Sequence, residues 1–325
     1  MSLPTIEHIR AAAAQIRPHA VRTPLIESNR LNDRLGGRVL LKLEMLQRTG
    51  TFKFRGAYNK ISRLSKAAHP GGVVAVSSGN HAQGVADAAR MMGLRAAIVM
   101  PSQAPALKIA RTKALGAEVI AYDRDTGDRE AIFKQAAKER GAVMVPPFDD
   151  PEIIAGQGTV GLELMAQAND LGLMPDLVLV PCGGGGLVSG VAIAVHASDP
   201  GVHVIAIEPE GFDDTGRSLV SGTRETNARH SGSICDALLS PSPGVMTFAT
   251  CQAQSVSAAS VSEAQVRDAV RYAYEELKLV VEPGGAVGLA ALLSGVVPLN
   301  GRTAAVVLSG GNIDPGLFAD IIGAD

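Results

Sequence analysis

Residues 73–100 read VVAVSSGNHAQGVADAARMMGLRAAIVM and contain one complete unit of the predicted fold. The short apolar run at 73–76 predicts a buried strand, residues 80–92 predict a helix, and residues 96–100 predict a second strand. Strands that alternate with helices in this way are typical of βαβ units, whose strands run parallel in one sheet. The segment therefore predicts a parallel sheet with helices packed on its faces.

The same alternation continues along most of the 325-residue chain. Residues 71–144 hold three strand–helix repeats and predict a small, mobile domain, while residues 1–70 and 145–325 together predict a larger domain. The predicted fold class is α/β, with two doubly wound parallel-sheet domains. The other predicted strands are residues 39–43, 117–121, 177–181, 203–207 and 304–308, and the other predicted helices are residues 106–115, 129–140, 153–169, 187–196, 262–277 and 285–293.

Composition and charge exclude several classes of function. The formal charge of −2 gives no long-range attraction to nucleic acid or to an anionic membrane. Cys182, Cys235 and Cys251 are too few and too scattered for a disulfide framework or a zinc site, and free thiols suit a cytoplasmic protein. Residues 177–196 are uncharged, but Pro181 and four successive glycines within them predict a strand, a loop and a helix instead of a membrane span.

Lys53 lies between two uncharged aromatic residues, Phe52 and Phe54, just ahead of a stretch that favours a helix. An amine with apolar neighbours is poorly solvated, so its pKa is expected to fall and its nucleophilic neutral form to become accessible. Taken alone, Lys53 could equally be a surface lysine at the start of a helix. Its neighbours in the predicted fold favour a chemical role.

Three polar loops follow predicted strands, where open α/β sheets bind their ligands. They are therefore expected to converge on one cleft. The loops consist of Ser77, Ser78, Gly79, Asn80 and His81; of Gly183, Gly184, Gly185 and Gly186; and of residues 309–312.

The run of four glycines at 183–186 precedes a predicted helix and predicts a phosphate site. Without Cβ atoms, the backbone N–H groups are open to an anion, and the helix N-terminus favours negative charge. A mononucleotide P-loop motif is absent, and Val188 and Ser189 do not fit the dinucleotide pattern G-x-G-x-x-G. A phosphate that belongs to another kind of cofactor is the better interpretation.

The ordered set of motifs resembles the β-family, or fold type II, of pyridoxal-phosphate enzymes, and in particular threonine and serine dehydratases and serine racemases. The resemblance covers nearly the whole chain, from RTPL at 22–25 through IAGQGT at 154–159 to Ser309. It implies pyridoxal phosphate in a cleft between the two domains and β-elimination from a β-hydroxy amino acid, giving a 2-oxo acid and ammonia. L-Threonine or L-serine is the expected substrate, serine racemisation and 3-hydroxyaspartate dehydration are alternatives, and a homodimer is the expected assembly.

The resemblance assigns roles to the cofactor-site residues. Lys53 matches the lysine that binds the cofactor covalently and acts as the base at Cα, Phe52 matches the aromatic residue on the ring, and Asn80 matches the asparagine that bonds the ring hydroxyl. Residues 183–186 match the phosphate loop, and Ser309 matches the residue that faces the pyridine nitrogen. A serine does not hold that nitrogen protonated, so the ring is a milder electron sink, which favours β-elimination over aminotransfer.

The loop 77–81 is expected to bind the substrate carboxylate. Ser78 matches the racemase serine that reprotonates Cα from the face opposite Lys53, although a hydrogen bond to the substrate or the backbone would also explain it. A structural role is expected for His81, and Glu282 is expected near the edge of the ring. Ala237 stands where many relatives have glycine, and its extra methyl group is expected to affect substrate choice.

The segment EPEGFDD at 208–214 directly follows a predicted strand and suggests a metal site. In similar dehydratases and racemases, two carboxylates and a backbone carbonyl at this spacing bind a divalent cation, which here implies Glu208, the Phe212 carbonyl and Asp214. Ligation by oxygen alone favours Mg²⁺, or Ca²⁺ or Mn²⁺, over zinc. An acidic, solvated turn is the alternative.

Overall fold

The computed structural model describes residues 2–77, 79–104, 106–123 and 127–323. The strands are β1 (Leu25–Glu27), β2 (Arg38–Leu43), β3 (Val73–Val76), β4 (Ala96–Pro101), β5 (Glu118–Tyr122), β6 (Val143–Val145), β7 (Leu177–Pro181), β8 (His203–Pro209), β9 (Ser257–Val261) and β10 (Thr303–Leu308). The helices are α1 (Ile6–Ile16), α2 (Asn29–Leu35), α3 (Lys53–Ile61), α4 (Asn80–Met91), α5 (Ala106–Ala114), α6 (Arg129–Arg140), α7 (Pro151–Asp170), α8 (Gly186–Ser198), α9 (Asp214–Ser221), α10 (Val245–Ala253), α11 (Glu263–Glu275), α12 (Pro283–Leu293) and α13 (Pro315–Gly323).

The larger sheet has the strand order β1-β2-β10-β7-β8-β9 and is parallel except for β1. Its central strands are apolar throughout because helices cover both faces of the sheet. In β10, Ala304, Val306 and Leu308 belong to the core on one face, and Ala305 and Val307 belong to the core on the other. This alternation confirms the doubly wound α/β architecture.

The smaller sheet is entirely parallel, with the order β5-β4-β3-β6. Its core also includes α3, because Phe54, Ala57 and Ile61 pack in the same cluster as Val73 and Ile98. The predicted boundary at residue 70 assigns α3 to the larger domain. The helix that begins at Lys53 therefore packs with the smaller sheet and lies beside the cleft.

The strands and helices listed as predictions are all present, with ends within two residues of those expected. The strands β1, β6 and β9 were not predicted, and neither were α1, α2, α9, α10 and α13. Residues 177–196 form β7, a glycine loop and most of α8, and no helix in the described part of the chain is long and apolar enough to cross a membrane.

Candidate active site

A cleft lies where the loops after β3, β7 and β10 meet the start of α3. Its walls include Ser77, Gly79 and Asn80 from the first loop, the glycine run from the second and Ser309 from the third. The three polar loops therefore converge as their positions after parallel strands predict. The empty space, which includes the open mouth, is about 960 Å³.

Lys53 is the first residue of α3 and presents its amine to this cleft. The Nζ atom donates a hydrogen bond to the carbonyl oxygen of Pro147 at 2.8 Å and lies 5.1 Å from the centre of the Phe52 ring. Burial lowers the pKa of Lys53 to about 8, and the nearby Glu282 carboxyl partly opposes that shift. A substantial fraction of the amine is therefore neutral and nucleophilic near neutral pH.

The start of α3 is fixed to the loop after β10. The Phe52 N–H donates to the Ser309 carbonyl oxygen at 3.2 Å, and Thr51 pairs with Gly310 as an isolated antiparallel bridge. Ser309 itself is buried in the cleft wall. These backbone contacts set the position of Lys53 relative to Ser309, 256 residues further along the chain.

The glycine run lies directly against α8 and has no room for side chains. A Cβ atom on Gly184 would lie 2.3 Å from the Phe148 ring, and one on Gly185 would lie 2.9 Å from the Thr247 side chain. Gly185 also has a φ of 90°, in the left-handed region that favours glycine, and it caps the N-terminus of α8. The loop backbone and the helix N-terminus together form a cradle suited to a phosphate.

Asn80 is oriented by two partners. Its Nδ2 donates to Glu282 Oε1 at 2.6 Å, and its Oδ1 accepts from Asn312 Nδ2 at 3.0 Å. Asn312 also donates to the Thr49 carbonyl oxygen at 2.8 Å, so it connects the Asn80 loop to the segment that leads into Lys53. Sequence reasoning included Asn312 in a loop motif but did not find this positioning contact.

Glu282 is a buried carboxyl group in the cleft wall. It is 3% exposed, and its Oε2 atom has no hydrogen-bond partner among the described residues. Burial, together with the charge of Asp236, raises the pKa of Glu282 to about 7. A buried polar atom without a partner at this point is consistent with a site built to meet a polar ligand.

The loop before α4 contains the predicted substrate-binding residues, of which Ser78 lies outside the described residues. Ser77 and Gly79 line the cleft, and the Gly79 N–H donates to Ser77 Oγ at 3.0 Å. His81 is buried and donates from Nε2 to the Val145 carbonyl oxygen at 2.9 Å. Burial lowers the pKa of His81 to about 3, so the ring is neutral at physiological pH.

Three cleft residues, Lys108, Asp236 and Arg129, carry charges that sequence reasoning did not assign to the site. Lys108 of α5 is buried, and its amine forms an ion pair with Asp236, which lies 128 residues away in the chain. Arg129, at the start of α6, and Ala237 also line the cleft. No local pattern marks an ordinary lysine in a helix as a cleft residue, so only the folded chain reveals this pair.

The residues proposed for a metal site lie at the end of β8 and at the start of α9. Glu208 and Asp214 are both fully buried, so the turn is not a solvated acidic one, and Phe212 is buried between them in sequence. Glu208 accepts the N–H groups of Thr215 and Gly216 at 3.0 and 2.8 Å. Among the described residues there is no cluster of three or more His, Cys, Asp or Glu side chains suited to a metal.

Both carboxyl groups have raised pKa values. Burial and the charge of Asp214 raise the pKa of Glu208 to about 8, and burial raises that of Asp214 to about 7. Asn227 donates to Asp214 Oδ1 at 2.6 Å, but Asp214 Oδ2 has no partner in the described part of the chain. The site therefore holds two acidic groups that protons or a cation must compensate.

The cleft fits pyridoxal phosphate. The group needs an amine for its aldehyde, a cradle for its phosphate and flat apolar contact for its ring, and these are present as Lys53, the glycine run and Phe52. The unpartnered Glu282 oxygen and the side-chain-free surface of the glycine loop support the fit. Fold and site together define a fold type II enzyme of this cofactor class.

Comparison with known proteins establishes the family. Residues 16–310 match the family described as pyridoxal-phosphate dependent enzyme, and the chain belongs to that family. It is 40% identical to L-threo-3-hydroxyaspartate ammonia-lyase of Saccharomyces cerevisiae over 99% of this chain and 97% of that protein. It is 41% identical to L-threonine ammonia-lyase of Thermotoga maritima over 98% of this chain and 78% of that protein.

A solved structure supports the same family. The structure of maize serine racemase superposes with a TM-score of 0.92 at 37% identity and covers 98% of this chain and 97% of that one. The protein is thus similar to ammonia-lyases and to a racemase within one family. The predicted fold class and the pyridoxal-phosphate enzyme class are confirmed.

Proposed function

We propose that the protein catalyses β-elimination from a β-hydroxy amino acid, L-threonine or L-serine, to give a 2-oxo acid and ammonia. The observation that carries this proposal is the Lys53 amine, whose pKa is lowered to about 8, in one cleft with the glycine cradle and Ser309. The similarity to L-threonine ammonia-lyase supports the same reaction class.

The substrate carboxylate is proposed to bind the loop 77–81, where the N-terminus of α4 favours negative charge. When bound, pyridoxal phosphate withdraws the negative charge that develops on the substrate Cα as its proton leaves. Phe52 and the glycine run would hold the ring and the phosphate, and Asn80, fixed by Asn312, would meet the ring hydroxyl.

Lys53 is proposed to remove the proton from Cα. Its neutral form is accessible near neutral pH, as a general base requires. The β-hydroxyl then leaves as water, and the unsaturated amine that remains is hydrolysed to the 2-oxo acid and ammonia. Threonine would give 2-oxobutanoate, and serine would give pyruvate. Ser309, which does not hold a pyridine nitrogen protonated, favours this elimination over aminotransfer.

Racemisation of serine is the second candidate. Ser78 is present in the sequence where racemases of this family carry a serine, and maize serine racemase is structurally similar. In this reaction Ser78 would return a proton to Cα from the face opposite Lys53.

A substrate panel separates the two candidates. The purified protein, supplied with pyridoxal phosphate and Mg²⁺, is incubated with L-threonine, L-serine and L-threo-3-hydroxyaspartate, and 2-oxo acids and D-serine are measured in the same samples. The proposal expects 2-oxobutanoate or pyruvate to exceed D-serine. More D-serine than pyruvate would make racemisation the main reaction, and no product from any substrate would refute both candidates.

A divalent cation is proposed at Glu208, the Phe212 carbonyl and Asp214, with Mg²⁺ preferred over Ca²⁺ or Mn²⁺. Two buried carboxyl groups whose pKa values are raised by burial, and one Asp214 oxygen without a partner among the described residues, support a cation there. Oxygen ligands suit these hard cations. The cation would stabilise the α9 region beside the cofactor cleft.

Two predictions concern assembly and motion. A homodimer would have a mass near twice that of the 33.5 kDa chain, which light scattering can measure. A mobile domain at residues 71–144 would show faster amide hydrogen exchange when the cleft is empty than when substrate is bound.

A further inference from the structure

The Lys108–Asp236 pair lies in the cleft and suggests how the substrate side chain is selected, an inference that rests on the proposed function. Lys108 is 7% exposed, whereas the Asp236 side chain is 42% exposed. Lys108 comes from α5 beside the smaller sheet, and Asp236 comes from a short 3₁₀ helix, Asp236–Leu238, that packs with the larger sheet. The pair therefore crosses the cleft.

Lys108 borders the place where the substrate is proposed to bind. Its aliphatic stem covers the backbone of Gly79, because a Cβ atom on Gly79 would lie 2.7 Å from Lys108 Cδ and 3.3 Å from Lys108 Nζ. The ammonium group is thus beside the loop that is proposed to bind the substrate carboxylate. A side chain on the substrate's β-carbon would be within reach of this charge.

The other walls of the cleft have other roles, so the substituent on the substrate's β-carbon would lie on the side of Lys108. The glycine run and Phe148 form the phosphate wall, and Lys53 lies where Cα must react. The rest of the lining includes Lys108, Asp236, Ala237 and Arg129, together with residues 238–240 and Glu282. The group that distinguishes threonine from 3-hydroxyaspartate, a methyl or a carboxylate, would therefore face the ion pair.

A buried ammonium needs an anionic partner, and Asp236 supplies one. While Asp236 is present, Lys108 is neutralised and an uncharged methyl or hydrogen can lie beside the pair. A β-carboxylate would meet the negative charge of Asp236 at close range and would have to compete with it for Lys108. Arg129 is a second cation of this wall, but its side chain is 37% exposed and its guanidinium lies 3.5 Å from Glu130, so solvent and that carboxylate screen its charge more than they screen the buried Lys108.

We propose that Asp236 is a specificity-determining residue. By pairing with Lys108, it favours β-hydroxy amino acids with an uncharged side chain and disfavours those with a β-carboxylate. Without Asp236, Lys108 becomes a binding site for that carboxylate.

The test compares the wild-type protein with D236N, with K108M and with the double variant. The ratio of kcat/KM for L-threo-3-hydroxyaspartate to that for L-threonine is measured for each protein. D236N is expected to raise this ratio about tenfold or more, the scale of one charge-assisted contact, and addition of K108M is expected to cancel the gain. An exposed aspartate far from the cleft, Asp268, provides the control variant D268N, for which the ratio should not change.

Binding of malonate, measured by calorimetry, provides a readout that does not depend on turnover. D236N should bind malonate about tenfold more tightly than the wild type, and the double variant should lose this gain. A ratio and a malonate affinity that both stay within twofold of wild type in D236N would overturn the inference. If no protein releases a 2-oxo acid, the proposed function fails, while the malonate series still decides whether Asp236 masks Lys108.

Should D236N fold poorly, D236S carries the same test, because Asp236 is exposed and a serine there also removes the negative charge. A wild type that prefers 3-hydroxyaspartate over threonine would also contradict the inference.

Discussion

Lys53 and Arg55 lie two residues apart in α3 and differ in how their charges are compensated. Arg55 is fully buried and donates to both oxygens of Glu44 and both oxygens of Glu163, at 2.8 Å in each case. These carboxylates raise the pKa of Arg55. Among the described residues, the acceptor for the Lys53 amine is the neutral Pro147 carbonyl, and burial lowers the pKa of Lys53 to about 8.

This difference in charge compensation distinguishes a structural cluster around Arg55 from the reactive site around Lys53. Lys42, Glu44, Arg55 and Glu163 form a buried network that fixes α3 against β2 and α7. In that network every cation has an anionic partner, so the charges are stable and unreactive. Lys53 is the first residue of the same helix, and no described carboxylate forms an ion pair with it. The network can therefore fix the backbone of α3 while the Lys53 amine remains free to react.

The largest expected effect is on activity when Lys53 is removed. K53A should lower turnover at least about a thousandfold, which is within the range contributed by a general base, and loss of the covalent attachment adds to it. Its melting temperature should not fall, because a poorly solvated amine is removed. Turnover assays and thermal melts of K53A and of the surface variant K66A check this, and substantial turnover by K53A would refute the role of Lys53.

Removal of Arg55 should lower the stability of the fold, whereas removal of Lys53 should lower activity and leave the stability unchanged. R55M leaves the buried Glu44 without its ion-pair partner and leaves Glu163 with Lys42 alone, so the free energy of unfolding should fall by about 3–5 kcal/mol. Urea unfolding measures the loss, and R63M is the matched control because the ion pair of Arg63 with Glu152 is exposed and should be worth less than about 1 kcal/mol. A similar loss in both variants would show that the buried network has no special role.

The carboxyl pair of Glu208 and Asp214 is intermediate between these two regions, since it is buried and Arg217 only partly offsets the charge of Asp214. Cation binding requires Glu208 and Asp214 to lose protons, and their pKa values are about 8 and 7, so the affinity for Mg²⁺ should rise with pH. Titration of the chelator-treated protein should show affinity about a hundredfold higher at about pH 8 than at about pH 6.

D214N should abolish this Mg²⁺ binding and any loss of melting temperature caused by a chelator. Replacement of the exposed Glu210 of the same segment in E210Q provides the control. Equal Mg²⁺ affinity in D214N and wild type would remove the proposed metal site.

The smallest expected effect is the pH dependence of cofactor uptake. Only the neutral amine attacks an aldehyde, and the pKa of Lys53 is about 8 in the folded protein instead of 10.5. Uptake of pyridoxal phosphate by the cofactor-free protein should therefore be about fivefold faster at about pH 8 than at about pH 7, and should level off above about pH 9. A rate that continues to rise to about pH 10 would show an ordinary lysine.

The lowered pKa of Lys53 also affects the free energy of unfolding. Because the folded-state pKa of Lys53 lies below its unfolded value, the unfolded chain binds more protons between these two values. The contribution of Lys53 to the free energy of unfolding should therefore increase as the pH rises from about 8 to about 10.5, and K53A should lack this increase.

The sequence predicts the parallel sheets because β3, β7 and β10 are continuous apolar runs followed by polar loops. It misses β1 and β6 because each has only three residues, and β9 because SAASV has no apolar run. Each of these strands pairs with a neighbouring strand that the sequence does predict, so tertiary pairing decides them instead of local propensity.

The residues of the candidate site also divide into those that a local sequence pattern predicts and those that only the folded chain reveals. Lys53, Asn80 and the glycine run are recognisable because each belongs to a local pattern that follows a strand or starts a helix. The Lys108–Asp236 pair and the burial of Glu208 and Asp214 depend on distant parts of the chain and leave no local signal. Charge compensation is therefore the part of this site that only the folded structure reveals.

The central claim, that Lys53 is the reactive amine, is tested most directly by locating the bound cofactor. The protein is incubated with pyridoxal phosphate, reduced with borohydride to fix the aldehyde carbon to its amine, digested and analysed by mass spectrometry. The predicted result is one major modified peptide in which Lys53 carries the cofactor. Modification mainly of another lysine, such as Lys42 or Lys108, or no visible absorbance before reduction, would contradict it.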